Sequence, residues 1–197
     1  MKNKEIFYIS NLLSFSRFVL LIPLIFFLVS PNQNYYLFSS IIIIFMWISD
    51  LLDGYYARKR NEVSELGKII DPLADKMIVI SITIILLLQE ILPLWFFIVI
   101  VLRDLIILSG GLFIKQKYGI VLQSNWIGKL TVFTIGFTLL NMILIKGLTS
   151  ISLNFFVYHI DKLELYWKVL ILVSILMSVF SLVSYFKKFT NTVSVNK

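Results

Sequence analysis

Asp50-Leu51-Leu52-Asp53-Gly54-Tyr55-Tyr56-Ala57-Arg58, followed by Gly67-Lys68-Ile69-Ile70-Asp71-Pro72-Leu73-Ala74-Asp75, decides the reading of this chain. The two segments set four carboxylates, an arginine and two glycines into an otherwise oily sequence. Charged groups near a membrane are costly and usually functional. At roughly 100° per helical residue, Asp53, Gly54, Ala57 and Arg58 all fall within about 80° of Asp50. Asp71 and Asp75 stand at i and i+4, again on one face, with Gly67 a turn earlier. Two facing helices would pool the acids beside small residues and one guanidinium. Such a set suits divalent cations and leaves room for a phosphate-bearing ligand.

Composition bounds the class. The chain has 197 residues, of which 59% are hydrophobic and only 15% charged. Its mean hydropathy is +0.92. A soluble domain carries about 25% charged residues, so the expected class is an all-α integral membrane protein. There is no cysteine, which excludes disulfide and thiol chemistry. His159 is the single histidine, which argues against a His-based metal site or a Ser-His-Asp triad. The net charge of +7 reports membrane topology and anionic ligands rather than nucleic acid. No internal repeat, low-complexity tract or soluble domain is visible, and residues 1–197 read as one membrane domain.

Six apolar stretches approach the roughly 20 residues needed to span a bilayer. They lie near 12–29, 36–57, 72–89, 93–114, 127–146 and 165–186. The first is too long for a removable signal peptide and has no small-residue cleavage site. Residues 2–11 fit a short interfacial helix or a solvated start. Lys2, Lys4, Arg58, Lys59, Arg60, Lys68, Lys115, Lys117, Lys187, Lys188 and Lys197 fall on one side. The other side has an uncharged first loop, Glu90, and Lys146, Lys162 and Lys168. Both termini and the aspartate cluster are therefore expected on the cytoplasmic side. Tyr35, Tyr36, Trp47, Trp95, Trp126, Tyr166 and Trp167 mostly sit near span ends, as an aromatic belt does.

The spacing Asp-x2-Asp-Gly-x2-Ala-Arg-x8-Gly-x3-Asp-x3-Asp resembles the signature of the CDP-alcohol phosphatidyltransferases, integral membrane enzymes of phospholipid synthesis. Every fixed position is present, a chance match on the order of once in 10¹⁰ positions. The resemblance implies transfer of a phosphatidyl group from CDP-diacylglycerol to a polar alcohol, with release of CMP. It implies two divalent cations, Mg²⁺ or Mn²⁺, on Asp50, Asp53, Asp71 and Asp75, with Asp75 also the base for the acceptor hydroxyl. It places cytidine and the diphosphate against Gly54, Ala57, Arg58 and Gly67, and it implies a homodimer. Read alone, Gly54 and Ala57 also suit helix packing, Arg58 positive-inside charge, and Gly67 a loop end. Pro72 fits a helix that begins close by, or a kink in one already started.

Three cations are candidates for a phosphate on the acceptor. Arg103, followed by Asp104, lies inside the fourth span, where an arginine faces protein or a wet cavity; a buried structural pair is the alternative. Lys129 opens the fifth span after Asn125-Trp126-Ile127-Gly128, and can equally snorkel. Arg17 closes Asn11-x2-Ser14-x2-Arg17, which looks like an N-terminal stretch of the phosphatidylglycerophosphate synthase branch; snorkelling is again the alternative. A phosphorylated acceptor, sn-glycerol 3-phosphate, follows as the leading expectation. Arg103-Asp104 departs from the Arg-Glu of that branch and looks more like the cardiolipin synthases, whose acceptor is phosphatidylglycerol. Outside the enzyme class, a divalent-cation transporter would use the same carboxylates, although these cluster at one membrane edge rather than at mid-depth. A catalytically dead scaffold sits poorly with an intact signature.

Overall fold

A computed structural model describes residues 9–32, 34–60, 67–120, 125–150 and 160–195, without the side chains of 9–10, 54–60, 67–69, 71–72, 160–161 and 195. Among the described residues it is built of six helices: α1 (Ile9–Val29), α2 (Tyr35–Arg60), α3 (Gly67–Leu88), α4 (Leu94–Tyr118), α5 (Trp126–Ser150) and α6 (Ile160–Val195). A bilayer offers the backbone no hydrogen-bond partner, so an oily chain closes its N–H and C=O groups within helices.

Five of the helices, α1, α2, α4, α5 and α6, are long and apolar enough to cross a membrane. The third expected span, near 72–89, falls on α3. Its first turns carry Lys68, Asp71, Asp75 and Lys76, so its uncharged run extends only from Met77 to Leu88. The charges that shorten it are those of the aspartate motif. Because α3 begins at Gly67, Pro72 lies within an established helix rather than in its first turn.

Several helices outrun the apolar stretches that announced them. α6 extends to Val195 through Lys187, Lys188, Thr190 and Asn191. Polar residues end a membrane span without ending a helix, since a helix needs only its own backbone bonds. α4 does stop sharply. Gly119 takes the left-handed conformation, φ 68°, and its N–H donates to the Lys115 carbonyl, as a glycine C-cap does. Of the expected interfacial helix at 2–11, residues 1–8 lie outside the described residues, and from Ile9 the chain is already in α1.

The chain folds as two compact units. One comprises α1, α2, α3 and the end of α5 from Met142; the other comprises α4, α5 through Asn141, and α6. In the first unit α1 packs on both α2 and α3. Leu24, Leu28, Met46 and Leu86 are fully buried there, while Ile22, Phe26, Leu51 and Leu88 stay exposed. In a bilayer such exposed side chains meet acyl chains, so close packing and polar contacts, not apolar burial, join the helices. Gly147 shows this: a Cβ there would stand 2.8 Å from the backbone nitrogen of Leu37.

The second unit uses hydroxyl groups instead. Thr131 donates to the Met177 carbonyl at 2.9 Å, Thr138 and Ser174 share a 2.9 Å bond, and Ser174 reaches the Thr134 carbonyl at 3.3 Å. These tie α5 to α6 along one seam, each bond contributing about 0.6 kcal/mol in a membrane setting.

Gly147→Val should force α5 away from α2 and destabilise the first unit by about 1–3 kcal/mol. Thermal unfolding in detergent checks this, with Gly119→Ala, strained only by its positive φ, expected to lose about 1 kcal/mol.

Candidate active site

The site is assembled in the first unit by three helices. Asp50 and Asp53 sit one turn apart on α2, and Asp75 projects from α3. The element that joins them is α1. Its apolar surface is broken by one strip, Asn11, Ser14 and Arg17, all three buried. Arg17 donates from Nη1 to Asp50 Oδ1 at 2.9 Å and from Nη2 to Asp53 Oδ2 at 2.6 Å. The same Nη1 donates to Asp75 Oδ1. Ser14 Oγ adds a 3.3 Å bond to Asp53 Oδ2. Ser49 Oγ on α2 donates to the Leu13 carbonyl at 3.2 Å, which pins α2 to α1 beside the cluster.

Burial is graded across the cluster. The Arg17 side chain is 1% exposed and that of Asp53 6%, whereas Asp50 and Asp75 are each 48% exposed. A guanidinium this deep must be paired, and here three carboxylates answer it. Asp50 and Asp75 present the half-exposed side of the cluster, and Asp53 its buried side.

These donors fit hard divalent cations. All are carboxylate oxygens, from two helices, already converging on one positive centre, which suits Mg²⁺ or Mn²⁺ better than a softer ion. Among the described residues the acids surround the guanidinium rather than a preformed ion cage. Asp71 lies on α3 one turn before Asp75, but its side chain lies outside the described residues. The same holds for the surroundings of Gly54, Ala57 and Arg58, late on α2, and of Gly67, the first residue of α3.

Arg17 is therefore found among the aspartates, in a place that the spacing of its own motif did not reveal. Asn11 and Ser14 were quoted only for their resemblance. The signal that could have assigned them was their own pattern, polar residues at i, i+3 and i+6 leading to the one charge of the span.

A second polar cluster lies in the other unit, around Arg103. Its side chain is 7% exposed, and Nη1 donates to Asp104 Oδ1 at 2.6 Å. Nη2 donates to Ser181 Oγ on α6 at 2.8 Å and lies 3.5 Å from the Gly128 carbonyl on α5. Nε is buried with no partner. Asn125 caps α5 by accepting from the Gly128 N–H at 2.7 Å, and its amide donates to Ser184 Oγ at 2.6 Å. A Cβ at Gly128 would stand 2.9 Å from Asn125 Oδ1, which explains the glycine. Lys129, next along α5, is exposed. Asp104 thus holds Arg103 as its place in the sequence suggested, while Asn125, Ser181 and Ser184 went unread because only packing brings them there.

Residues 7–180, across both units, match the family pattern described as CDP-alcohol phosphatidyltransferase. A CDP-diacylglycerol–glycerol-3-phosphate 3-phosphatidyltransferase of Aquifex aeolicus is 33% identical over 182 residues, covering 90% of this chain and 93% of that one. A protein of the same name from Mycoplasma pneumoniae is 38% identical over 146 residues, covering 70% of this chain and 59% of the other. A cardiolipin synthase (CMP-forming) of Streptomyces coelicolor is 34% identical over 101 residues, covering 51% and 46%. With the aspartate signature intact and the match running through nearly the whole chain, this protein belongs to the CDP-alcohol phosphatidyltransferase family.

Proposed function

We propose that the protein transfers a phosphatidyl group from CDP-diacylglycerol to sn-glycerol 3-phosphate and releases CMP, acting as one membrane domain across residues 1–197. The observation that carries the site is the convergence of Asp50, Asp53 and Asp75 on one cationic centre beneath a half-exposed surface. The acceptor rests on the relatives from Aquifex aeolicus and Mycoplasma pneumoniae and on the cationic groups available for a second phosphate.

The chemistry is a displacement at the phosphorus that bears diacylglycerol. The acceptor oxygen forms a bond to that phosphorus, the bond to the CMP oxygen breaks, and CMP leaves with the electron pair. Asp50, Asp53, Asp71 and Asp75 would hold two divalent cations, Mg²⁺ or Mn²⁺. When bound, these neutralise the diphosphate and the charge gathering on the departing CMP. Asp75 takes the acceptor's hydroxyl proton; its half-exposed carboxylate suits an incoming alcohol. Gly54, Ala57 and Gly67 keep the helix surfaces low for the nucleotide, and Arg58 forks onto phosphate oxygens. Arg103, Lys129 and Arg17 are the candidates for the acceptor's phosphate.

A second acceptor, phosphatidylglycerol, is favoured by one observation. The fourth helix carries Arg103-Asp104, the pair that resembles cardiolipin synthases, and a Streptomyces coelicolor protein of that name is among the relatives. The active centre is placed on the cytoplasmic side, in a homodimer in the cell membrane, with the lipid bilayer supplying CDP-diacylglycerol.

CMP release by the detergent-purified protein tests the reaction. It should require CDP-diacylglycerol and glycerol 3-phosphate, stop with EDTA, and fall at least about 10²-fold in Asp75→Asn. Release with phosphatidylglycerol alone would transfer the assignment to the second acceptor. Full activity in Asp53→Ala or Asp75→Asn would remove the mechanism. Since the chain has no cysteine, single cysteines report topology directly. Asn3→Cys and Asn196→Cys should resist an impermeant thiol reagent in intact cells, and Asn32→Cys should react; the reverse pattern would move the site to the outer face.

A further inference from the structure

We propose that Arg17 is a built-in counter-ion: it holds the aspartate site together without metal and is displaced from the carboxylates when divalent cations enter. The proposal rests on the reading that these aspartates bind divalent cations.

The carboxylate atoms explain why the two occupants compete. Arg17 engages Asp50 Oδ1, Asp53 Oδ2 and Asp75 Oδ1, and a hard cation between α2 and α3 requires oxygens of those same groups. A guanidinium has five N–H donors and no acceptor, so it cannot ligate a cation. It can only share the site with a like charge or yield its oxygens. Its depth makes the exchange consequential. At 1% exposure, water cannot readily stand in for lost carboxylates, and loss of Arg17 would remove the cationic partner that the three acids share. Ser14 can hold Asp53 throughout, since its hydroxyl donates to Asp53 Oδ2 independently of the guanidinium.

Two effects of opposite sign follow. Arg17 stabilises the metal-free fold and weakens metal affinity, because the ion-binding state is populated only when the guanidinium has left. Once displaced, the guanidinium is available to the phosphate oxygens that arrive with substrate, which joins this role to the acceptor-phosphate candidacy of Arg17.

The test uses detergent-purified wild type, Arg17→Gln, Arg17→Lys and Asp53→Ala, stripped with EDTA and titrated with Mn²⁺. Free Mn²⁺ is read by electron paramagnetic resonance, and thermal unfolding is followed with and without the ion. Arg17→Gln should bind Mn²⁺ at least about ten-fold more tightly than wild type. Its metal-free Tm should fall by about 5 °C, and the gap should narrow at saturating Mn²⁺. Arg17→Lys keeps the charge and loses the fork, so it should shift both readouts the same way by less. It also serves as the readout if the glutamine variant does not fold. Unchanged or weaker Mn²⁺ affinity in the Arg17 variants, with wild-type binding that depends on Asp53, would overturn this proposal and leave the metal reading standing. Mn²⁺ binding that is absent, or equal in wild type and Asp53→Ala, would overturn the metal reading and this proposal with it.

Discussion

One guanidinium, on a helix with no other charge, holds carboxylates from two neighbouring helices. Arg17 lies deep in α1, and Asp50, Asp53 and Asp75 reach it from α2 and α3. Membrane helices gain little from burying apolar surface against one another, since lipid is equally apolar. A buried charge that must be answered therefore carries unusual weight in setting how they pack. The polar strip of α1 turns inward, α2 is drawn to it through Ser14 and Ser49, and α3 brings Asp75 at the cost of its own apolar length.

Much of this was legible in the sequence. Composition and the length of the apolar stretches announced an all-helical membrane protein, and the i, i+3 spacing put Asp50 and Asp53 on one face. The partner of those faces was not legible. Arg17 is distant from Asp50 and Asp75 along the chain, and helical periodicity shows which residues share a side, not which helix that side meets. The close approach of Gly147 to Leu37 and the hydroxyl seam between α5 and α6 were hidden for the same reason. Apolar stretches mark spans and not helix ends, so the continuation of α6 through Lys187 and Lys188 was not legible.

The Arg103 cluster repeats the logic on a smaller scale. Asp104 holds one side of the guanidinium, Ser181 the other, and Nε remains buried without a partner. Each cluster sets a buried guanidinium against carboxylate, three acids at Arg17 and one at Arg103. Membership of a phosphatidyltransferase family argues against a transporter.

The central claim is that the carboxylates gathered by Arg17 are the cation site of the reaction. Anomalous scattering from crystals soaked with Mn²⁺ and CDP-diacylglycerol tests it most directly. Two peaks within about 2.0–2.2 Å of oxygens of Asp50, Asp53, Asp71 and Asp75 are expected, with the diphosphate beside them. Peaks elsewhere in the chain, with Arg17 still bound to its three aspartates, would contradict it.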